Sequence, residues 1–344
     1  MAAKTEDTLR PADELLARFS RQLDRLLPKR QPVGVAVSGG PDSIALLLLA
    51  AAARPGLVEA ATVDHGLRAG SAREAEDVAA LCEKLGVPHV TLAAEWKAKP
   101  EQAIQEKARA ERYRVLSKWV GERGLAAVMA AHHADDQAET VMMRLARGAG
   151  IKGLAAMRVK GPIPGGAASL VRPLLRWRHQ ELVDICKAAG VAVAEDPSND
   201  DDQFERVRMR KALAKADWID PVAVVKSAAN LAEADSALHW ATTQEWNRVV
   251  KRNDLQVAFR PAGMPREIQR RLVRRAVIAM ASEGKGAELR GPELDRLVAA
   301  LAGGRKATLR GVLCAGGEVW RFSKAPARRA PARESAEAGA VEGQ

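Results

Sequence analysis

The sequence is poor in cysteine, with three in 344 residues, and no apolar run approaches the roughly 20 residues that a membrane-spanning helix requires. Cys82, Cys186 and Cys314 stand far apart, are odd in number and form no CxxC pair. That pattern argues against a disulfide framework and against a cysteine-ligated zinc or iron–sulfur centre, and it suits a reducing compartment. The opening MAAKTEDTLR is charged and leads into an amphipathic pattern at Leu16, Phe19, Leu23 and Leu26, with no apolar signal core. Export and a membrane partner are therefore not expected, and a cytoplasmic location is. Internal repeats are also lacking.

What the chain has in surplus is positive charge. Lysine and arginine outnumber the acids by 54 to 43, a formal charge of +11 and a pI near 9.8. Such a surplus draws a protein to a polyanion, with simple solubility as the plainer reading. The hydrophobic share of 47% and charged share of 28% are those of a globular protein, and the length favours two domains.

Residues 1–217 alternate short apolar runs with longer helical patterns. Val33–Val37, Val58–Val63, His89–Leu92 and Ala126–Ala131 are predicted strands, because each is short, apolar and bounded by Gly, Pro or charge. Helices are expected near 42–53, 71–85, 102–122 and 178–189, the second opening on a capping box at Ser71 and Glu74 and the last closed by Gly190. Strand–helix alternation predicts an α/β fold, a doubly wound, mostly parallel sheet whose ligand lies beyond the carboxyl ends of the strands. Lys160–Ser169 has the composition of a mobile surface loop near that site. Residues 218–324 are expected to form a smaller, mainly helical domain, with helices near 221–248, 265–282 and 292–302 and a hairpin between Ala307–Gly311 and Glu318–Phe322. Residues 325–344 read as a disordered tail.

Ser38-Gly-Gly-Pro-Asp-Ser43 is then the turn between the first strand and its helix. Glycines there let backbone N–H groups approach an anion, and the helix N-terminus adds roughly half a positive charge. Ser38 and Ser43 can donate hydroxyl hydrogen bonds. Asp42 beside phosphates would be repelled unless a divalent cation, Mg²⁺, lay between them. The plainer reading takes Gly39-Gly40 as a tight turn, Pro41 as a first-turn proline and Asp42 as a helix-terminal charge. The loop is neither GxxxxGK[ST] nor GxGxxG.

Val63-Asp-His-Gly-Leu-Arg68 follows the second strand and Ala131-His-His-Ala-Asp-Asp-Gln-Ala-Glu-Thr140 the fourth, so both fall on the same sheet edge. His132 and His133 are read as contacts to phosphate or to a substrate, or as a cap on the strand end; His65 is a weaker candidate. Asp135, Asp136 and Glu139 together exceed what a helix cap requires and offer anionic partners for a cation, with local helix capping as the competitor. Arg109, Arg112 and Tyr113 share a helix surface suited to ATP or to a nucleic acid. Arg206, Arg208 and Arg210 suit phosphate contacts, and Arg270, Arg271, Arg274 and Arg275 form a basic stripe that is either a phosphate surface or a solvated helix face.

The loop Ser38–Ser43 resembles the SGGxDS loop of the ATP pyrophosphatase, or PP-loop, family. With Val63–Arg68, Ala131–Thr140, Arg144–Met157, Arg172-Pro-Leu-Leu175 and Glu195-Asp-Pro-Ser-Asn199, the set closely resembles the bacterial tRNA(Ile)-lysidine synthetases over roughly residues 30–215. That resemblance implies ATP and Mg²⁺, a tRNA(Ile) with a CAU anticodon, and free L-lysine. ATP would adenylylate the C2 oxygen of the wobble cytidine, and lysine would then displace AMP. It implies ATP binding by Ser38, Gly39, Gly40, Pro41, Asp42, Ser43, Val63, His65 and Arg112, with the metal on Asp42. Asp135, Asp136 and Glu139 would bind lysine, and Asp42, His133, Asp136 and Glu139 would be catalytic. Arg206, Arg208, Arg210, Arg270 and Arg274 would bind tRNA. The family usually has Arg-Asn where this chain has Arg206-Val207. A homodimer is compatible with the sequence. The competing readings are another PP-loop enzyme such as a tRNA thiolase, which the missing paired cysteines disfavour, and a non-catalytic RNA-binding module, which an intact loop with Asp42 disfavours.

Overall fold

The computed structural model describes residues 8–66, 71–96, 104–194, 201–281, 289 and 291–326. The tail after residue 326 and the Glu195-Asp-Pro-Ser-Asn199 segment lie outside the described residues. The chain divides into two compact units, Met1–Ala234 and Asp235–Gln344. The division falls inside a helix, beyond the boundary near 217 expected from the sequence, because α9 (Pro221–Val249) runs unbroken for 29 residues.

The first unit opens with α1 (Asp13–Leu26) and then alternates as expected: β1 (Val33–Ala36), α2 (Pro41–Ala53), β2 (Val58–Asp64), α3 (Ser71–Lys84), β3 (His89–Ala93), α4 (Ile104–Glu122), β4 (Val128–Met129), α5 (Ala134–Ala146) and α6 (Ile151–Leu154). The hairpin β5 (Lys160–Pro162) and β6 (Ser169–Val171) follows, then α7 (His179–Ala188) and α8 (Glu205–Ala214). Strand order is β3-β2-β1-β4-β6-β5, parallel except for the β5–β6 pair. The expected mobile loop over Lys160–Ser169 is therefore replaced in part by a paired hairpin, in which Gly161 sits opposite Leu170.

The core explains why the sheet edge is fixed. Residues 43–50 of α2 are all buried, so this helix is apolar on every side, and its neighbours α1 and α7 supply Phe19, Leu23, Leu182 and Ile185. Gly34 in β1 is required by close approach: a Cβ there would lie 2.5 Å from Trp119 Cζ3 of α4. Because β1 pairs with β2 on one side and β4 on the other, and its crossovers diverge there, the ends of β1 and β4 form the cleft where open α/β sheets bind ligands.

The second unit contains the rest of α9, then β7 (Lys251–Arg252), β8 (Gln256–Phe259), α10 (Arg266–Met280), α11 (Gly291–Ala302), β9 (Lys306–Leu309), β10 (Val312–Ala315) and β11 (Trp320–Lys324). Its strands form a five-stranded sheet in the order β7-β8-β11-β10-β9, antiparallel throughout. Among its described residues helices account for about half rather than the greater part, and the hairpin expected between 307–311 and 318–322 is not made, because β10 lies between those runs and pairs with both. Arg310 and Gly311, at φ 53° and 77°, make the tight turn from β9 into β10.

Candidate active site

The loop after β1 turns at Gly39, whose φ of +86° is a left-handed conformation that glycine adopts without strain, and Gly40 then leads Pro41 into the first turn of α2. Ser43 ties the loop to itself: its hydroxyl donates to the Gly40 carbonyl at 2.9 Å and accepts from the Ser38 N–H at 3.1 Å. On the far side of the loop, the Ala194 N–H donates to the Gly39 carbonyl at 3.0 Å. A cavity of about 220 Å³ opens against this loop. Ser38, Gly40, Asp42 and Ser43 line one wall, and Ala36, Ala61, Val63, Tyr113, Leu116 and Leu170 make an apolar one. Arg109, Arg112, His132 and Asp136 complete it.

The expected nucleotide residues thus converge in part. Gly39, Pro41 and His65 do not line this cavity: Gly39 and Pro41 shape the loop from behind, while His65 sits beside Arg112, with Nε2 3.4 Å from its guanidinium. The guanidinium of Arg109 lies 5.0 Å from the Tyr113 ring centre, the surface anticipated from their spacing.

The segment after β4 supplies the charge. His133 caps α5, its backbone N–H donating to Asp136 Oδ2 at 3.1 Å. Asp136 is thus the residue that completes the His133 cap. His133 Nε2 lies 3.6 Å from Asp42 Oδ2 and 3.4 Å from Asp136 Oδ2, and Nδ1 lies 3.5 Å from Asp135 Oδ2. The Asp136 N–H reaches Nδ1 only at 3.4 Å, so the three carboxylates decide the ring's state. Burial opposes a charge on His133, but its bonds to Asp135 and Asp42 and the nearby charges of Asp136 and Asp42 win, lifting it to about 10. Asp42 shows the reciprocal effect: burial alone would raise its pKa, but His133 and His179 bring it down to about 2.

His132 behaves oppositely. Its ring borders the cavity, yet Nδ1 is closed off and has no partner among the described residues. Burial, assisted by the cations of Arg172, Arg109 and Arg206 against the pull of Asp136, pushes it down to about 3, so it is neutral.

The acids expected to face a substrate amine are already engaged. Glu139 is 1% exposed and is clamped by Arg206 Nε at 2.6 Å and Arg210 Nε at 2.7 Å. Arg206 also reaches Asp136 Oδ1 at 2.8 Å. Arg206 and Arg210 are therefore turned onto these acids, because a buried carboxylate requires cations. Arg208 instead binds the carbonyls of Asp202 and Gln203. Gln137 is turned inward and exchanges two hydrogen bonds with the Met157 backbone. Asp135 accepts from Arg178 and from the His179 N–H, and these bonds with His133 hold it far below the usual carboxylate range despite burial.

Arg178 and His179, at the start of α7, were not anticipated. His179 Nδ1 lies 2.8 Å from Asp42 Oδ1. No motif marks it, but α7 follows the parallel strand β6, so its first turn lies on the same sheet edge, and that was a usable signal. In the second unit, two arginines of the basic stripe are paired with acids, Arg270 with Asp295 and Glu267 and Arg271 with Asp235 and Glu267, while Arg275 keeps its charge and stacks 4.4 Å over Trp246.

Asp42 and Asp136, flanking one imidazole nitrogen, fit Mg²⁺, which binds through one or two carboxylates together with substrate phosphates. Thiol chemistry is disfavoured, since Cys82, Cys186 and Cys314 are all buried and burial lifts each to about 12.

Comparison with known proteins agrees with this fold. A family model for the PP-loop domain matches residues 15–217. The tRNA(Ile)-lysidine synthase of Novosphingobium aromaticivorans is 45% identical, covering 92% of this chain and 96% of its own length. That of Zymomonas mobilis is 40% identical over 88% and 91%. Among solved structures, the U34-tRNA thiolase NcsA from Methanococcus maripaludis shares the fold, with a TM-score of 0.53 at 16% identity, covering 64% of this chain and 81% of that one. The chain belongs to the PP-loop family and, within it, to the tRNA(Ile)-lysidine synthases, enzymes that use ATP to form a carbon–nitrogen bond.

Proposed function

We propose that the cleft at the ends of β1 and β4 carries out two steps on one tRNA(Ile). The C2 oxygen of the wobble cytidine attacks the α-phosphorus of ATP, the bond from that phosphorus to the bridging oxygen breaks, and pyrophosphate leaves. The amine of free lysine then attacks C2, the C2–O bond breaks, and AMP leaves. The observation that carries this reading is the mixed cavity beside the Ser38–Ser43 loop, apolar where a base would stack and polar where phosphates would lie.

In this reading the loop N–H groups and the N-terminus of α2 receive the phosphates, while Tyr113, Leu116 and Leu170 receive the adenine. Arg112 and the His133 imidazolium stabilise charge that grows on the α-phosphate. Bound Mg²⁺ would add further neutralisation through Asp42 and Asp136. Glu139 acts as an anchor: it holds Arg206 and Arg210 in place, and Arg206 in turn holds Asp136. Asp136, beside the cavity, is the acid best placed to accept a proton from the lysine amine, and Asp135 contributes to the negative field that attracts the ammonium groups. A dimer is not required by any of these roles.

The test is nucleoside mass spectrometry of CAU-anticodon tRNA(Ile) incubated with the protein, ATP, Mg²⁺ and lysine. Lysidine at the wobble position is the expected product. A sulfur-bearing nucleoside that appears only with a sulfur donor would favour a thiolase, and no pyrophosphate release would favour a binding module.

A further inference from the structure

Among the described residues, Asp42, His133 and His179 alone bring three metal-ligating side chains together, with ligand atoms all within 4.8 Å of one another. We propose that, before nucleotide binds, this cluster is a site for a borderline-soft divalent cation such as Zn²⁺ or Co²⁺, held by one carboxylate and two imidazoles.

The donor set separates this site from one for Mg²⁺. Magnesium takes oxygen ligands and keeps its water, whereas imidazole nitrogen favours zinc and its transition-metal neighbours. Three protein ligands with water in the fourth position is a common zinc arrangement. The ring behind the ligand atom is also supported: His133 turns Nε2 toward Asp42 while Nδ1 faces Asp135, and Asp135 is itself fixed by Arg178 and the His179 N–H. A carboxylate behind a histidine ligand sets ring orientation and raises ligand basicity. The carboxylates of Asp42, Asp135 and Asp136 around the cluster add a negative field that attracts a dication.

Bonds of about 2.0–2.2 Å to the ion require the cluster to contract. His133 is buried and fixed by its cap, so the adjustment falls to His179, which is 47% exposed on the first turn of α7. Asp42 belongs to both sites, so an ion held here excludes Mg·ATP. His179 is thus the residue that would make this chain sensitive to zinc.

The test uses the full chain, stripped of metal by chelator and free of nucleotide, titrated with Co²⁺ while its visible d–d bands are recorded. The expected result is saturation at one ion per chain, displacement by Zn²⁺ and by excess Mg·ATP, and affinity at least about tenfold weaker in His179→Gln. Relative to its own uninhibited rate of pyrophosphate release, the same variant should need at least about tenfold more Zn²⁺ for half inhibition than the wild type does. Co²⁺ that binds the variant as tightly as the wild type, binds through thiolates, or does not bind at all overturns the site. Retention of Co²⁺ in saturating Mg·ATP, with His179→Gln still weakened, supports the site and overturns instead the placement of the nucleotide on Asp42. Should the variant fail to fold, as judged by circular dichroism, His179→Asn takes its place with the same expected outcomes.

Discussion

His132 and His133 are adjacent in the chain, and their proton affinities move in opposite directions from the ordinary value of 6.5. For His132 the folded value is depressed, so its neutral burial stabilises fully above pH 6.5 and that contribution is lost as the pH falls toward about 3. For His133 the folded value is raised, so its contribution is complete below pH 6.5 and is lost as the pH rises through about 10. Asp42 adds to the acid limb, since its contribution is present above the ordinary carboxylate value of 3.8 and is lost as the pH falls through about 2. Calorimetric melting from acid to alkaline pH should show His132→Gln flattening the limb between about pH 4 and 6.5, and His133→Gln flattening the alkaline one. Equal slopes in both variants would show that the two rings titrate alike. At Asp42 the expected effect is kinetic: Asp42→Asn should lower pyrophosphate release by about 10²–10³-fold while tRNA affinity stays within about twofold, measured by phosphate-coupled assay and filter binding.

The elements differ in how openly the sequence displays them. β1, β2 and β3 were legible because four- to seven-residue apolar runs end on turn residues, and α2 because its apolar run is too long for one strand. β4 is shorter than the run Ala126–Ala131 suggested, since only Val128 and Met129 enter the ladder on both sides. β10 was hidden because its turn places Arg310 in the left-handed region, where Asn or Gly is the usual signal. The clamp on Glu139 was not legible at all: Arg206 and Arg210 are 67 and 71 residues away, and periodicity reports only local neighbours. Gly34→Ala should destabilise the first unit by about 1–3 kcal/mol in urea unfolding, because the added methyl meets the Trp119 ring within a packed sheet. Glu139→Gln should cost about 2 kcal/mol, less than a fully buried pair would, because both arginines remain partly in water.

For the molecule as a whole, a charge of +11 predicts that tRNA affinity falls steeply with salt. With Arg270 and Arg271 paired to acids, Arg274 is the better probe of the basic stripe in the second unit. Arg274→Ala should reduce the slope of log affinity against log salt by about 1, and an unchanged slope would return the stripe to plain solvation. The buried helix that carries the phosphate loop has one more consequence. Its amides at 44–50 have no route to solvent short of opening the whole core, so their hydrogen exchange should be governed by global unfolding and should hardly respond to ATP. The nucleotide therefore meets a rigid post, and whatever ordering accompanies binding must be sought in the segments around that post.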